Sequence, residues 1–125
     1  MDDIEKEIVD KAKDWILEYG EEFLVELIDV YLGDTPVRLA QLRQALEGGD
    51  TETVTREAHT LKSSSANVGA MTLAAVARQV ELAGRNNETG SLATEIGRMA
   101  AVFARVKAIL EALRHAPVKF IDEER

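Results

Sequence analysis

The 125-residue sequence contains no cysteine, only two prolines and few aromatic residues. The lack of cysteine excludes disulfides and thiolate metal sites, and nothing argues for an oxidising compartment, so a cytoplasmic location is expected. No apolar run approaches the roughly 18 residues of a membrane-spanning helix. The acidic start Met1-Asp2-Asp3 does not resemble a signal peptide either. We therefore expect no membrane segment.

Basic residues are also scarce. The chain has 15 of them against 23 acidic residues, which gives a formal net charge of -8. Such a charge repels phosphate backbones and anionic lipid, so neither nucleic acid nor a membrane surface is an expected partner. The length suits one domain with one core.

What the sequence does contain is amphipathic helical patterning divided by short breaks. Six blocks follow from it, over residues 4–19, 21–32, 36–46, 51–68, 70–83 and 92–113. The break between the second and third blocks is Gly33-Asp34-Thr35-Pro36, where Thr35 suits an N-cap and Pro36 a first helical turn. The pattern predicts an all-α, up-and-down bundle of about six helices with a four-helix-bundle core.

The fourth block carries a histidine on its polar side. Its apolar stripe is Val54, Ala58, Leu61, Ser65 and Val68. At about 100° per residue, His59 falls roughly 140° from the centre of that stripe. Thr55, Ser63 and Ala66 share its side and are too short to bury an imidazole, so the ring is expected to be open to a partner.

An exposed neutral imidazole is a good nucleophile near neutral pH and can accept a phosphoryl group. Lys62 offers a positive charge to the phosphoryl oxygens, and the Ser63 hydroxyl can donate a hydrogen bond to them. No hydrolase triad, HExxH zinc pattern or glycine-rich phosphate loop accompanies them. The chain is therefore not expected to bind ATP, to phosphorylate itself or to need a cofactor or metal.

The run Ala-His-Thr-Leu-Lys-Ser-Ser-Ser-Ala-Asn-Val-Gly-Ala, over residues 58–70, strongly resembles the phosphorylation motif of histidine-containing phosphotransfer (HPt) domains of two-component phosphorelays. Upstream, the segments 22–28, 34–36 and 39–46 resemble the preceding helices of that family. Downstream, Val80-Glu81 with Arg85 resembles its following helix. The resemblance covers about residues 20–114.

The resemblance implies that His59, on a central helix, is the phosphoacceptor of a phosphocarrier that has no autonomous catalysis. Lys62 matches the family's basic residue, whereas Ser63 replaces the glycine most often found there. Thr55, Arg56 and Ala66 are the candidate partner-binding residues.

The implied partners are receiver domains of a hybrid histidine kinase, a response regulator or both, and in this family the receiver supplies the Mg²⁺ and the acidic pocket. The expected organisation is an N-terminal packing helix over 1–19, an HPt bundle over 20–116 and a tail or linker over 117–125. A monomer is expected.

Two alternatives stay open. The domain can be the phosphoacceptor module of a chemotaxis-type kinase, phosphorylated directly by an ATP-binding core. It can also be a non-catalytic helical adaptor that uses the same face only for binding, although the presence of both His59 and Lys62 argues against this.

Overall fold

The computed structural model describes residues 2–117, and all regular structure in that range is helical. Five α-helices follow one another: α1 (Asp3–Tyr19), α2 (Glu21–Glu47), α3 (Thr51–Asn67), α4 (Met71–Arg85) and α5 (Leu92–His115). A short 3-10 helix over Thr89–Ser91 leads into α5. The predicted all-α class is confirmed, with five helices in place of about six.

The difference in number comes from α2, which runs through the predicted break at residues 33–36. Its buried residues keep intervals of three or four across Pro36, so they form one continuous face: Leu24, Ile28, Tyr31, Thr35, Leu39, Leu42 and Ala45. A proline costs a helix interior about 3 kcal/mol. Burial of each large apolar side chain stabilises the fold by about 1.5–3 kcal/mol. The free energy gained along the continuous buried face is therefore larger than the cost of the single exposed Pro36.

Helices α2 to α5 form the four-helix core. Each one packs against two others, in the cyclic order α2, α3, α4, α5. In α5, the apolar residues at heptad spacing are all buried: Leu92, Ile96, Met99, Phe103, Val106, Leu110 and Leu113. Among residues 2–117, no helix is long and apolar enough to span a lipid bilayer.

Helix α1 packs on α2, α4 and α5 and holds the turn between α3 and α4. Gly69 in that turn has φ +81°, and a Cβ there would lie 2.6 Å from the Lys11 Cβ. Trp15 Nε1 donates to the Asn67 carbonyl over 2.7 Å. These contacts fix the carboxyl end of α3. Residues 118–125, most of the predicted tail, lie outside the described residues.

Candidate functional site

Helix α3 presents two different faces, as its sequence predicts. Its N-cap is Asp50, whose side chain accepts from the Thr53 backbone N–H over 3.1 Å. The stripe predicted to face the core is buried at every position. Within it, the Ser65 hydroxyl lies 2.8 Å from the Tyr31 hydroxyl. Burial raises the pKa of Tyr31 to about 12, so this pair stays neutral and serves packing.

His59 lies on the other face, and its side chain is 58% exposed. The ring is nevertheless held on one edge, because Nδ1 lies 2.8 Å from Oε2 of Glu81 on α4. The Glu81 side chain is only 4% exposed. The histidine is therefore open to a partner and anchored at the same time.

Two cations share the same carboxylate. Lys62 Nζ donates to Oε1 over 2.7 Å, and Arg85 Nη2 donates to Oε2 over 2.9 Å. Burial alone would raise the pKa of Glu81, but the hydrogen bonds from Lys62 and His59 outweigh it, and the pKa is lowered. Glu81 is thus ionised at neutral pH.

The charge on Glu81 decides the tautomer of His59. An ionised carboxylate can only accept, so Nδ1 must carry the hydrogen and donate it. In the neutral ring, the lone pair is then on Nε2, on the edge away from Glu81. The arrangement leaves Nε2 as the ring nitrogen with a free lone pair.

Close packing of α3 on α4 makes this contact possible. A Cβ at Gly84 would lie 2.6 Å from the Thr55 Oγ1, so only glycine allows the helices to approach this closely. Thr55 is half-buried there, and its hydroxyl donates to the Thr51 carbonyl over 2.7 Å. Of the predicted partner-binding residues, Thr55 therefore lies at the helix interface, one turn before His59.

The other predicted residues lie along the outer side of α3. Ser63 and Arg56 are exposed, and Ala66 is half-buried. Arg56 Nε lies 3.8 Å from a carboxylate oxygen of Glu57. The structure thus brings Lys62 to His59 through a shared carboxylate, whereas Ser63, Arg56 and Ala66 are its neighbours on the helix surface.

An open depression of about 600 Å³ lies beside the imidazole. Arg56, Thr60 and Arg85 are among the residues that line it, together with His59 and Glu81. The arginines are matched in number by Glu52 and Glu81, so the lining has no net formal charge, although the chain as a whole is acidic. A negatively charged group that approaches the ring can therefore meet a cation here.

The described residues form no metal-binding cluster. Within residues 2–117, no group of three or more histidine, aspartate or glutamate side chains could hold a metal ion. His115, the other histidine, lies at the last position of α5.

Sequence reasoning did not place Glu81 or Arg85 in the site, although both belong to the segment that carries the resemblance. A signal was present: Glu81 is an acid among core residues, between Val80 and Ala83. A charged residue at such a position needs a partner, and Arg85 follows four residues later.

Comparisons with known proteins identify the family and the fold of the chain. A family model described as the Hpt domain matches residues 26–116, more than half of the chain. The crystal structure of histidine-containing phosphotransfer protein B (HptB) from Pseudomonas aeruginosa PAO1 superposes with a TM-score of 0.80. It is 28% identical, over 84% of this chain and 90% of that one. No curated protein matches the chain.

Proposed function

Because the chain belongs to the Hpt domain family, which acts by histidine phosphotransfer, we propose that His59 carries the phosphoryl group between receiver domains. It accepts the group from an aspartyl phosphate on one receiver and passes it to an aspartate on another. The observation that supports this most directly is the anchored ring, with Nδ1 on Glu81 and the opposite nitrogen free to react.

The chemical step is a displacement at phosphorus. The Nε2 lone pair forms the N–P bond while the bond between phosphorus and the aspartyl oxygen breaks, and the aspartate leaves as a carboxylate. The Nδ1 hydrogen stays on the ring, where ionised Glu81 stabilises the positive charge that develops. The second transfer reverses these changes on another aspartate.

Lys62 neutralises the transferred phosphoryl oxygens in this proposal. Its ammonium group lies on Glu81 in the unphosphorylated protein. It is one-third exposed, so it can turn toward a phosphoryl group on the neighbouring ring. The exposed Ser63 hydroxyl, one turn after His59, supplies a further donor.

The receiver docks on the surface around His59, with Arg56 and Ala66 at its edges and Thr55 beneath it. The receiver supplies the metal-dependent part of the chemistry, and this domain acts as a carrier without autonomous catalysis. We place this relay in the cytoplasm.

The test is phosphotransfer from a receiver domain phosphorylated with acetyl phosphate. Wild-type protein should acquire an acid-labile, alkali-stable label within minutes, and the label should move on to a second, unphosphorylated receiver. His59→Gln should take up no label because it has no nucleophilic nitrogen. Its circular dichroism and thermal midpoint should match the wild type, since the ring is mainly exposed. His115→Gln is the matched control and should be labelled normally.

Other results would point elsewhere. Label that appears only with ATP and a kinase core, and with no receiver, would assign the domain to a chemotaxis-type kinase. Receiver binding without any label would make it an adaptor. Label retained in His59→Gln would place the phosphoacceptor at another residue and overturn the proposal.

A further inference from the structure

The outward face of α2 exposes apolar side chains to solvent. Val30 is 70% exposed and Val37 is 56% exposed, two helical turns apart. Between Asp29 and Arg43, every exposed position of α2 is uncharged. These positions are Val30, Gly33, Pro36, Val37, Ala40 and Gln41. In a chain with 30% charged residues, the exposed positions of a helix usually carry charged side chains. An uncharged, partly apolar face is typical of a surface that binds a partner.

We propose that this face binds a second copy of the chain, with the two α2 helices antiparallel. A twofold axis midway between Gly33 and Asp34 sets each Val30 opposite Val37 of the other copy. The proposal concerns a different surface from the phosphotransfer site and does not depend on His59.

Charged residues at the ends of the face support the same alignment. Glu22, Glu26 and Arg43 are exposed, and the ion pairs among residues 2–117 include none of them. The axis that pairs the valines brings Arg43 of one copy level with residue 24 of the other, between Glu22 and Glu26. The same twofold axis therefore aligns both the valine pairs and the charged pairs. In an isologous dimer, each of these contacts occurs twice.

The centre of the face suits a close helix crossing. A Cβ at Gly33 would meet nothing within 4 Å in the monomer, and the glycine leaves the backbone accessible to a second helix. Asp34 lies next to the axis, where two like charges would approach each other. Arg38 offsets that charge, because its Nε donates to the Asp34 carboxylate over 2.6 Å.

A single helix face gives a small interface, and the net charge of -8 on each copy opposes association. The proposed dimer is therefore weak and forms only at high protein concentration. At low micromolar concentration the proposal predicts a monomer.

Sedimentation equilibrium between 10 µM and 1 mM tests the association. The apparent mass of the wild type should rise from 13.8 kDa toward twice that value. Val37→Glu should weaken association at least tenfold without loss of helix content. Leu17→Glu, which changes a side chain 85% exposed on α1, is the matched control and should dimerise like the wild type. A constant monomer mass for the wild type would overturn the proposal.

The antiparallel alignment has its own test, since the chain has no natural cysteine. A mixture of Val30→Cys and Val37→Cys proteins should form a disulfide-linked dimer under mild oxidation. Each variant alone should crosslink far less, because its own cysteines lie about 10 Å apart in this alignment. Crosslinking of each variant with itself, but not in the mixture, would indicate parallel helices and overturn it.

Charge exchange tests the outer contacts. Arg43→Glu alone and Glu22→Arg/Glu26→Arg alone should each dimerise less than the wild type, whereas their mixture should form a heterodimer. His59→Gln should dimerise normally, so failure of phosphotransfer and failure of dimerisation remain distinguishable. If the wild type stays monomeric and Val37→Glu slows uptake from a receiver, the face belongs to the receiver and the dimer proposal is wrong.

Discussion

Two glutamates on either side of the histidine helix have similar surroundings but different partners. Glu57 and Glu81 are both almost fully buried, at 6% and 3% exposure. Glu57 points from α3 toward α2, where Arg38 Nη1 donates to it over 2.9 Å. Glu81 points from α4 toward α3 and accepts from His59, Lys62 and Arg85.

The difference shows that burial and ion pairing do not identify a functional carboxylate by themselves. Glu57 binds Arg38 of α2 and lies 3.8 Å from Arg56 Nε, but it makes no contact with the imidazole of His59. Glu81 also joins two helices, and one of its partners is that imidazole. We therefore expect variants of the two residues to lose comparable stability and to differ in phosphotransfer.

The largest expected effect comes from Glu81→Ala. Without the carboxylate, the Nδ1 hydrogen loses its acceptor, and neither the tautomer nor the ring position is fixed. In metal sites, loss of the group that orients a histidine costs about 10–100-fold, and we take the same range for this ring. We expect a fall of this size in the rate of uptake from a phosphorylated receiver, measured by rapid quench.

Glu57→Ala is the matched variant and should change that rate less than about threefold, because its effect is on stability. Both variants should lose about 1–3 kcal/mol in urea unfolding, since each leaves buried or partly buried partners unpaired. If the two variants slowed phosphoryl uptake equally, the proposed difference between Glu57 and Glu81 would be wrong.

The next effect separates the two cations on Glu81. Lys62→Ala should slow transfer about tenfold, because it removes a charge beside the phosphoryl group. Arg85→Ala, whose side chain is 60% exposed, should slow it less than about threefold. Single-turnover rates measure both, and circular dichroism should show unchanged helix content. An unaltered rate in Lys62→Ala would remove its assigned role.

The smallest effect is on the pH dependence of stability. Glu81 has a pKa below its usual value of 4.5 when folded. A carboxyl of this kind stabilises the fold above that usual value and loses its contribution as the pH falls through the folded pKa. The gap in unfolding free energy between wild type and Glu81→Gln should therefore be full at pH 7 and shrink below pH 4.5. A gap that stays constant to pH 3 in urea titrations would contradict the ion-pair account.

Much of this arrangement follows from the sequence because it depends on local periodicity. The apolar stripe of α3 and the repeat of α5 specify which faces are buried, and helical geometry then places His59 outward. The predicted block over residues 51–68 agrees with the histidine helix, Thr51–Asn67, to within one residue. These features need only neighbours along the chain.

What the sequence did not reveal depends on contacts between helices. Pro36 has the properties of a helix start, but the continuous buried face of α2 decides otherwise. The bond from Glu81 to His59 joins residues 22 positions apart, and it requires the close approach at Gly84. Periodicity within one helix carries no information about such distances.

The contact between Trp15 and the end of α3 also has an optical consequence. The chain has a single tryptophan, and its indole N–H is bound to the carbonyl of the last residue of the histidine helix. Indole emission shifts in wavelength when this bond or its surroundings change. The emission wavelength of Trp15 therefore reports on the position of α3 in the unlabelled protein, in real time and at dilute concentration.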